Sequence, residues 1–232
     1  MNKRLLLSVL CLLSCAANAS LYGGLNLGVN LVNTKKKLLY PLESVTPAFA
    51  TYRSGYMGFH GQLLAGYDVH FTDRMTAAIE GDIDFFTGRA QYRINNWFLS
   101  EGVGAKEKLE NGFAIFLLPG YQYNPNLRFF IGPGVSYNRF ATKTNNTAGN
   151  VGVTGNFHKW LAGGGVKIGA AVSFTENTEL SITYQYTQYQ NATWSNVEPV
   201  SNESVKGHYK PNANLVLVGL TLRIPEAKVY TK

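Results

Sequence analysis

The chain has 232 residues, a formal net charge of +7 from 21 Lys and Arg against 14 Asp and Glu, and only 15% charged residues beside 13% aromatic ones. So small an excess of positive charge does not describe a nucleic-acid-binding surface. Past residue 19, no apolar run approaches the ~20 residues of a membrane-spanning helix.

Residues 1–19 have the form of a secretory signal: Lys3 and Arg4, the apolar run Leu5 to Leu13, and the small-residue site Ala17-Asn18-Ala19 before Ser20. Cleavage there leaves a mature chain from Ser20 with charge +5 (two cations fewer than +7) and without Cys11 and Cys15, the only cysteines. Cysteine nucleophiles, cysteine-ligated metals and disulfides are then excluded. Leu12-Leu13-Ser14-Cys15 also loosely fits a lipoprotein box, which leaves lipidation at Cys15 as an alternative.

Side-chain parity organises the rest, because a strand sends successive side chains to opposite faces. In 20–31, Leu21, Leu25, Leu27, Val29 and Leu31 oppose Tyr22, Asn26 and Asn30. In 57–71, Met57, Phe59, Leu63, Tyr67 and Phe71 oppose His60, Gln62 and Asp68. After the turn Thr72-Asp73-Arg74, the segment 75–86 sets Ile79, Ile83 and Phe85 against Glu80, Asp82 and Asp84. The pattern continues through 113–123, crosses Asn124-Pro125-Asn126 into 127–137, and returns in 160–174 with Lys167 on the polar face. Thr175-Glu176-Asn177 leads into 180–187, and 215–224 closes the series. Pro119 and Pro133 fall inside adjacent strands, where each deletes a ladder donor, so a local bulge is expected there.

This predicts eight strands joined alternately by tight turns, near 73, 125 and 176, and by long polar segments at 32–56, 88–110, 141–156 and 190–211. Short connections at one end and long ones at the other are the layout of an outer-membrane barrel with periplasmic turns and external loops. A soluble up-and-down barrel shares the strand count but turns its apolar face inward. The sparse charge on the polar face and two aromatic groups favour the membrane barrel. Phe71, Tyr121, Tyr123, Phe129 and Phe174 lie near the tight turns; Phe85, Phe113, Tyr137, Trp160 and Tyr186 lie near the long segments.

The stretches "LYGGLNLGVN", "FHGQLLAGYDVHFTDRMTAAIEGDIDFF" and "NANLVLVGLTLRI" resemble the small eight-stranded outer-membrane barrels of the opacity-porin and OmpA/OmpX type. The resemblance implies an all-β, eight-stranded antiparallel up-and-down transmembrane β-barrel over 20–224, with a short periplasmic tail at 225–232. It also implies the cell outer membrane as location and handling by the barrel-assembly machinery during biogenesis. The family's closing strand typically ends in an aromatic residue; here it ends in Ile224.

Three uses are open for Glu80, Asp82 and Asp84. Alternate residues on one strand stand about 7 Å apart, with no second set of ligands implied for a metal. A glycosidase-like pair would need a cleft. The third use is a lumenal ion network, in which inward charges must be paired in a barrel just wide enough for side chains. Lys167, Arg128 and Arg223 share the inward parity and complete that network, with Lys167 the first candidate partner for Glu80 and Asp82. A lipid-modifying enzyme would need a histidine beside a nucleophile and an acid: His60 is two residues from Gln62 rather than a serine, His70 has Thr72 at that spacing but inside and at the turn end, and His158 and His208 flank the long segments. No catalytic residue, metal or cofactor is therefore implied. Lys35-Lys36-Lys37 is a candidate lipopolysaccharide-contacting loop, by charge attraction to phosphates. The function expected is membrane structure or surface adhesion by a monomer, with a host or extracellular ligand for the loops; a narrow small-solute pore is the alternative.

Overall fold

The computed structural model describes residues 19–42, 45–94, 103–145, 155–197 and 204–224. Residues 1–18 of the expected signal, with Cys11 and Cys15, and the tail 225–232 lie outside them. The described elements are all strands: β1 (Ala19–Leu42), β2 (Val45–His70), β3 (Met75–Phe86), β4 (Ala90–Ile94), β5 (Val103–Asn124), β6 (Leu127–Asn145), β7 (Gly155–Thr175), β8 (Thr178–Tyr189), β9 (Ala192–Val197) and β10 (Ser204–Ile224). Every pairing is antiparallel; β3 pairs with β5 and β8 with β10, past the short β4 and β9, and β10 returns to β1 with Leu21 opposite Ile224, so the sheet closes on itself. Closure removes both edges, the condition for placing strands in lipid.

Parity sorts the two faces as the sequence predicts. Along β3, exposed and buried residues alternate from Met75 to Phe86: Ile79 is 60% exposed and Asp84 1%. The apolar face is the outer one, which is inverted relative to a barrel built for water. Both aromatic groups lie on this wall, and Phe113, Tyr137 and Trp160 form a contiguous row with ring centroids 5.5 and 5.2 Å apart. Short side-chain caps hold the tight turns: Thr72 Oγ1 accepts from the Met75 amide at 3.0 Å, and Asn124 Oδ1 from the Leu127 amide at 2.8 Å.

The structure corrects the sequence reading in two places and extends it in one. The long segments are not mainly loops: β1 and β2 stay paired from the apolar band up to Leu42 and Val45, and β5, β6 and β7 likewise run on into them. Polar composition concealed these strands, since above the membrane neither face needs lipid. Eight strands form the closed ring as expected, and two short ones are added where the chain leaves β3 and β8 and re-forms as β4 and β9. Finally, the prolines cause no register shift. Pairing of β5 with β6 lapses between Phe116/Gly134 and Gly120/Phe130 and resumes in the same register, whereas the shifts fall at Leu109/Gly112 and Gln122/Asn124. Leu117 stands opposite Pro133 and Pro119 opposite Ile131, two residues apart, so both missing donors fall on the one β5–β6 seam.

The break after β3 has a local cause. Thr87 donates its amide (3.0 Å) and hydroxyl (2.7 Å) to the Phe59 carbonyl, ending the ladder with β2. Gly88 then adopts φ +90°, turning the chain so that β4 pairs with β5 alone. β9 likewise pairs only with β10. Above the membrane the barrel therefore divides into two four-stranded wings, β4-β5-β6-β7 and β9-β10-β1-β2.

Candidate functional site

The inward faces of the strands fill the lumen in layers. Nearest the tight turns, Arg128 and Arg223 bind the same two acids. Arg128 reaches Asp68 Oδ2 and Glu179 Oε2, each at 3.1 Å, and Arg223 reaches Asp68 Oδ2 at 2.9 Å and Glu179 Oε1 at 3.0 Å. Each guanidinium thus spans both carboxylates, meeting Asp68 at Oδ2 alone and Glu179 at one or the other of its two oxygens. Ser20 and Ser173 add bonds to its rim.

In the next layer Lys167 Nζ lies 2.8 Å from Glu80 Oε1 and 2.5 Å from Asp82 Oδ2, over the Phe116 ring. The register aligns these groups: Gly66 and Gly132 face Glu80 and Lys167 across their respective ladders, and the Tyr22 ring takes the space that a side chain at Gly66 would fill. Tyr22 donates to Glu80 Oε2 at 2.9 Å. Asp84 sits higher and, among the described residues, meets no lysine or arginine; it holds His60 Nε2 at 3.1 Å and Gln62 Nε2 at 3.0 Å. Asn26 extends this chain to Gln62 Oε1 at 2.6 Å.

Above the polar layers, residues from both wings form a continuous apolar cluster that includes Val32, Tyr56, Phe86, Leu109, Phe140, Leu161, Tyr189 and Leu215. An ion pair crosses between the wings there. Lys36 Nζ is 2.7 Å from Glu107 Oε2 and 3.3 Å from the Tyr92 ring centroid, while Ser54 also donates to Glu107.

The structure thus unites Lys167 with Glu80 and Asp82, sets Asp84 apart with His60, and groups Arg128 with Arg223 around Asp68 and Glu179. Asp68 was visible in the inward parity and Glu179 opposite the apolar face of its strand, but their lateral partners depend on barrel shear, which a single sequence does not reveal. Lys36–Glu107 is not legible in the sequence, because both residues lie in polar segments without the apolar alternation that marks a strand. Of the lysine run, Lys36 points inward while Lys35 and Lys37 are exposed, so the three do not present one charged surface. Among the described residues, no three His, Cys, Asp or Glu side chains form a metal-binding group. At Glu80 and Asp82 the Lys167 ammonium already occupies the point on which the acids converge.

Burial pushes the Lys36 ammonium down to about 8 from its ordinary 10.5, against the opposing pull of Glu107. Between these values the unfolded chain binds more protons than the folded one. The Lys36 contribution to stability accordingly rises with pH across that window, and its charging penalty is fully present below it. The stability difference between the native protein and Lys36→Met, from urea unfolding in detergent below and above the window, is expected to move in favour of the native lysine as pH rises. A difference that does not change with pH contradicts the buried latch.

The chain matches the solved structure of Neisserial surface protein A at 14% identity, covering 89% of this chain and 99% of that one with a TM-score of 0.42. OprG from Pseudomonas aeruginosa matches at 10% identity over 91% and 99%, TM-score 0.48. Ail from Yersinia pestis matches at 8% over 86% and 98%, TM-score 0.37. No curated protein matches significantly. The model of the outer membrane protein beta-barrel domain spans residues 5–223. With the closed antiparallel sheet, its lipid-facing apolar wall and its polar interior, this match places the chain in the outer membrane protein beta-barrel domain family.

Proposed function

We propose that this protein is a monomeric, closed barrel exported by its signal peptide. Its tight turns and termini face the periplasm, and it works in membrane structure and surface adhesion through its two external wings rather than by passing solute. The observation that carries this reading is the filled lumen: two charged layers and the Asp84–His60–Gln62 chain lie under the apolar cluster joining the wings. An eight-stranded barrel offers little interior beyond what side chains fill. His60 supports a non-catalytic role, since it is fully buried against Asp84 and the Phe86 ring.

Adhesion is tested with cells expressing the native protein or a version whose β1–β2 hairpin is trimmed above Thr34 and Ser54. Both should insert and show heat-modifiable gel mobility. Attachment to surfaces coated with extracellular-matrix proteins is expected to fall to background in the trimmed form. Equal attachment by both forms, or none by the native protein, contradicts the adhesive role.

A further inference from the structure

We infer that the outer wall of the β4–β7 wing carries a binding site for the phosphate groups of an outer-leaflet glycolipid. The site is a concavity of about 300 Å³ whose wall includes Arg89, Lys106, Lys108, Lys143 and His158. Its shape follows from the register. Lys108, Ala141 and His158 stand side by side on β5, β6 and β7, and Lys106, Lys143 and Asn156 form the neighbouring rung. Ala141 is short and buried among long exposed side chains, so it forms the floor.

Charge in the bowl is far from balanced. Glu110 bridges Lys108 at 2.5 Å and Arg139 at 3.1 Å, while Glu107 turns inward to Lys36. Among the described residues around it, five permanent cations (Arg89, Lys106, Lys108, Arg139 and Lys143) therefore meet one outward carboxylate. Such a cluster suits a multiply charged anion, which accepts charge-assisted hydrogen bonds from several donors together.

Height on the wall selects a lipid over a soluble polyanion. Trp160, in the aromatic row with Tyr137 and Phe113, is two residues below His158 on the same outward face. Two residues along a tilted strand raise the bowl by about 5 Å. That height falls in the headgroup layer, roughly 5–8 Å thick on each side of the hydrocarbon. An amphipathic ligand with phosphate uppermost matches both the cations and the lipid-facing wall beneath them. This patch, rather than the run at Lys35, is where outward cations gather around a hollow.

The inference rests on the orientation proposed above but not on whether the lumen conducts. The test titrates the full mature chain, folded in detergent, with bisphosphorylated lipid A, with its dephosphorylated counterpart and with sucrose octasulfate, reading bound ligand by native mass spectrometry. The phosphorylated lipid should bind about tenfold more tightly than the dephosphorylated one, and Lys106→Gln with Lys143→Gln should remove that advantage. Ala141→Phe, which keeps every charge but fills the bowl, should remove it too. Equal binding of the two lipids, or undiminished preference in both variants, overturns the site; displacement of the lipid by stoichiometric octasulfate reassigns it to soluble polyanions and also overturns it. Orientation is read separately with Lys206→Cys, exposed on the other wing. Labelling of intact cells by an impermeant maleimide is expected, and labelling only after lysis refutes the orientation itself.

Discussion

Replacing Lys167 with Met is expected to cost about 3–5 kcal/mol of unfolding free energy, because it strands two buried carboxylates without their cation. The lysine is only 1% exposed and is the ammonium bound by both Glu80 and Asp82. Tyr22 would still donate to Glu80, but a neutral hydroxyl does not replace a positive charge. The cost belongs to the unpaired acids rather than to the lost contact of the ammonium with the Phe116 ring. Lys167→Met combined with Glu80→Gln and Asp82→Asn should therefore recover most of the lost stability. Urea unfolding from lipid vesicles, followed by the heat-modifiable gel shift, measures both. Native-like stability of the single variant contradicts the pairing, and a triple variant no better than the single one contradicts its explanation.

The lower layer is expected to respond non-additively. Arg128 and Arg223 each contact both Asp68 and Glu179, so either arginine alone keeps a bond to each acid. Arg128→Met or Arg223→Met should then be individually tolerated in the folded barrel. The double variant leaves both carboxylates buried without a cation, and should lose more than the two single losses added together. For residues sharing partners in this way the excess is roughly 0.5–3 kcal/mol. Adding Asp68→Asn and Glu179→Gln to the double variant should remove that excess. A double-mutant cycle in the same unfolding assay reads it directly, and strictly additive losses contradict a shared square of charges.

Much of the fold was legible because lipid imposes a strict rule on alternate residues. From Leu21 to Leu31, and from Met75 to Phe86, a shift of one position would carry polar side chains into hydrocarbon, so parity alone separates wall from lumen. That rule lapses above the aromatic row. There Lys35 and Lys37 point to solvent and Lys36 into the barrel, and the alternation of three identical residues is invisible in the sequence. The wings, their Lys36–Glu107 latch and the bowl over Ala141 all lie in this upper region. Pro119 and Pro133 were legible as defects, but not their outcome: the structure aligns both on one seam, where a lapse in pairing suffices and no residue is inserted.

The candidate site divides in the same way. Glu80, Asp82, Asp84, Lys167, Arg128 and Arg223 could all be assigned to the inner face from parity. Which cation meets which acid depends on stagger around the barrel, a three-dimensional quantity. Asp84 shows the consequence, since its neighbours two and four positions earlier meet Lys167 while it meets His60. The partition bears on the proposed function: each layer pairs its charges within itself, so side chains cross the axis at several successive heights.

Single-channel recording in a planar bilayer tests that closure most directly. Native protein whose insertion is verified by the heat-modifiable gel shift should give no reproducible open-channel steps at either polarity. Repeated, uniform conductance steps from the folded native chain would contradict the sealed lumen.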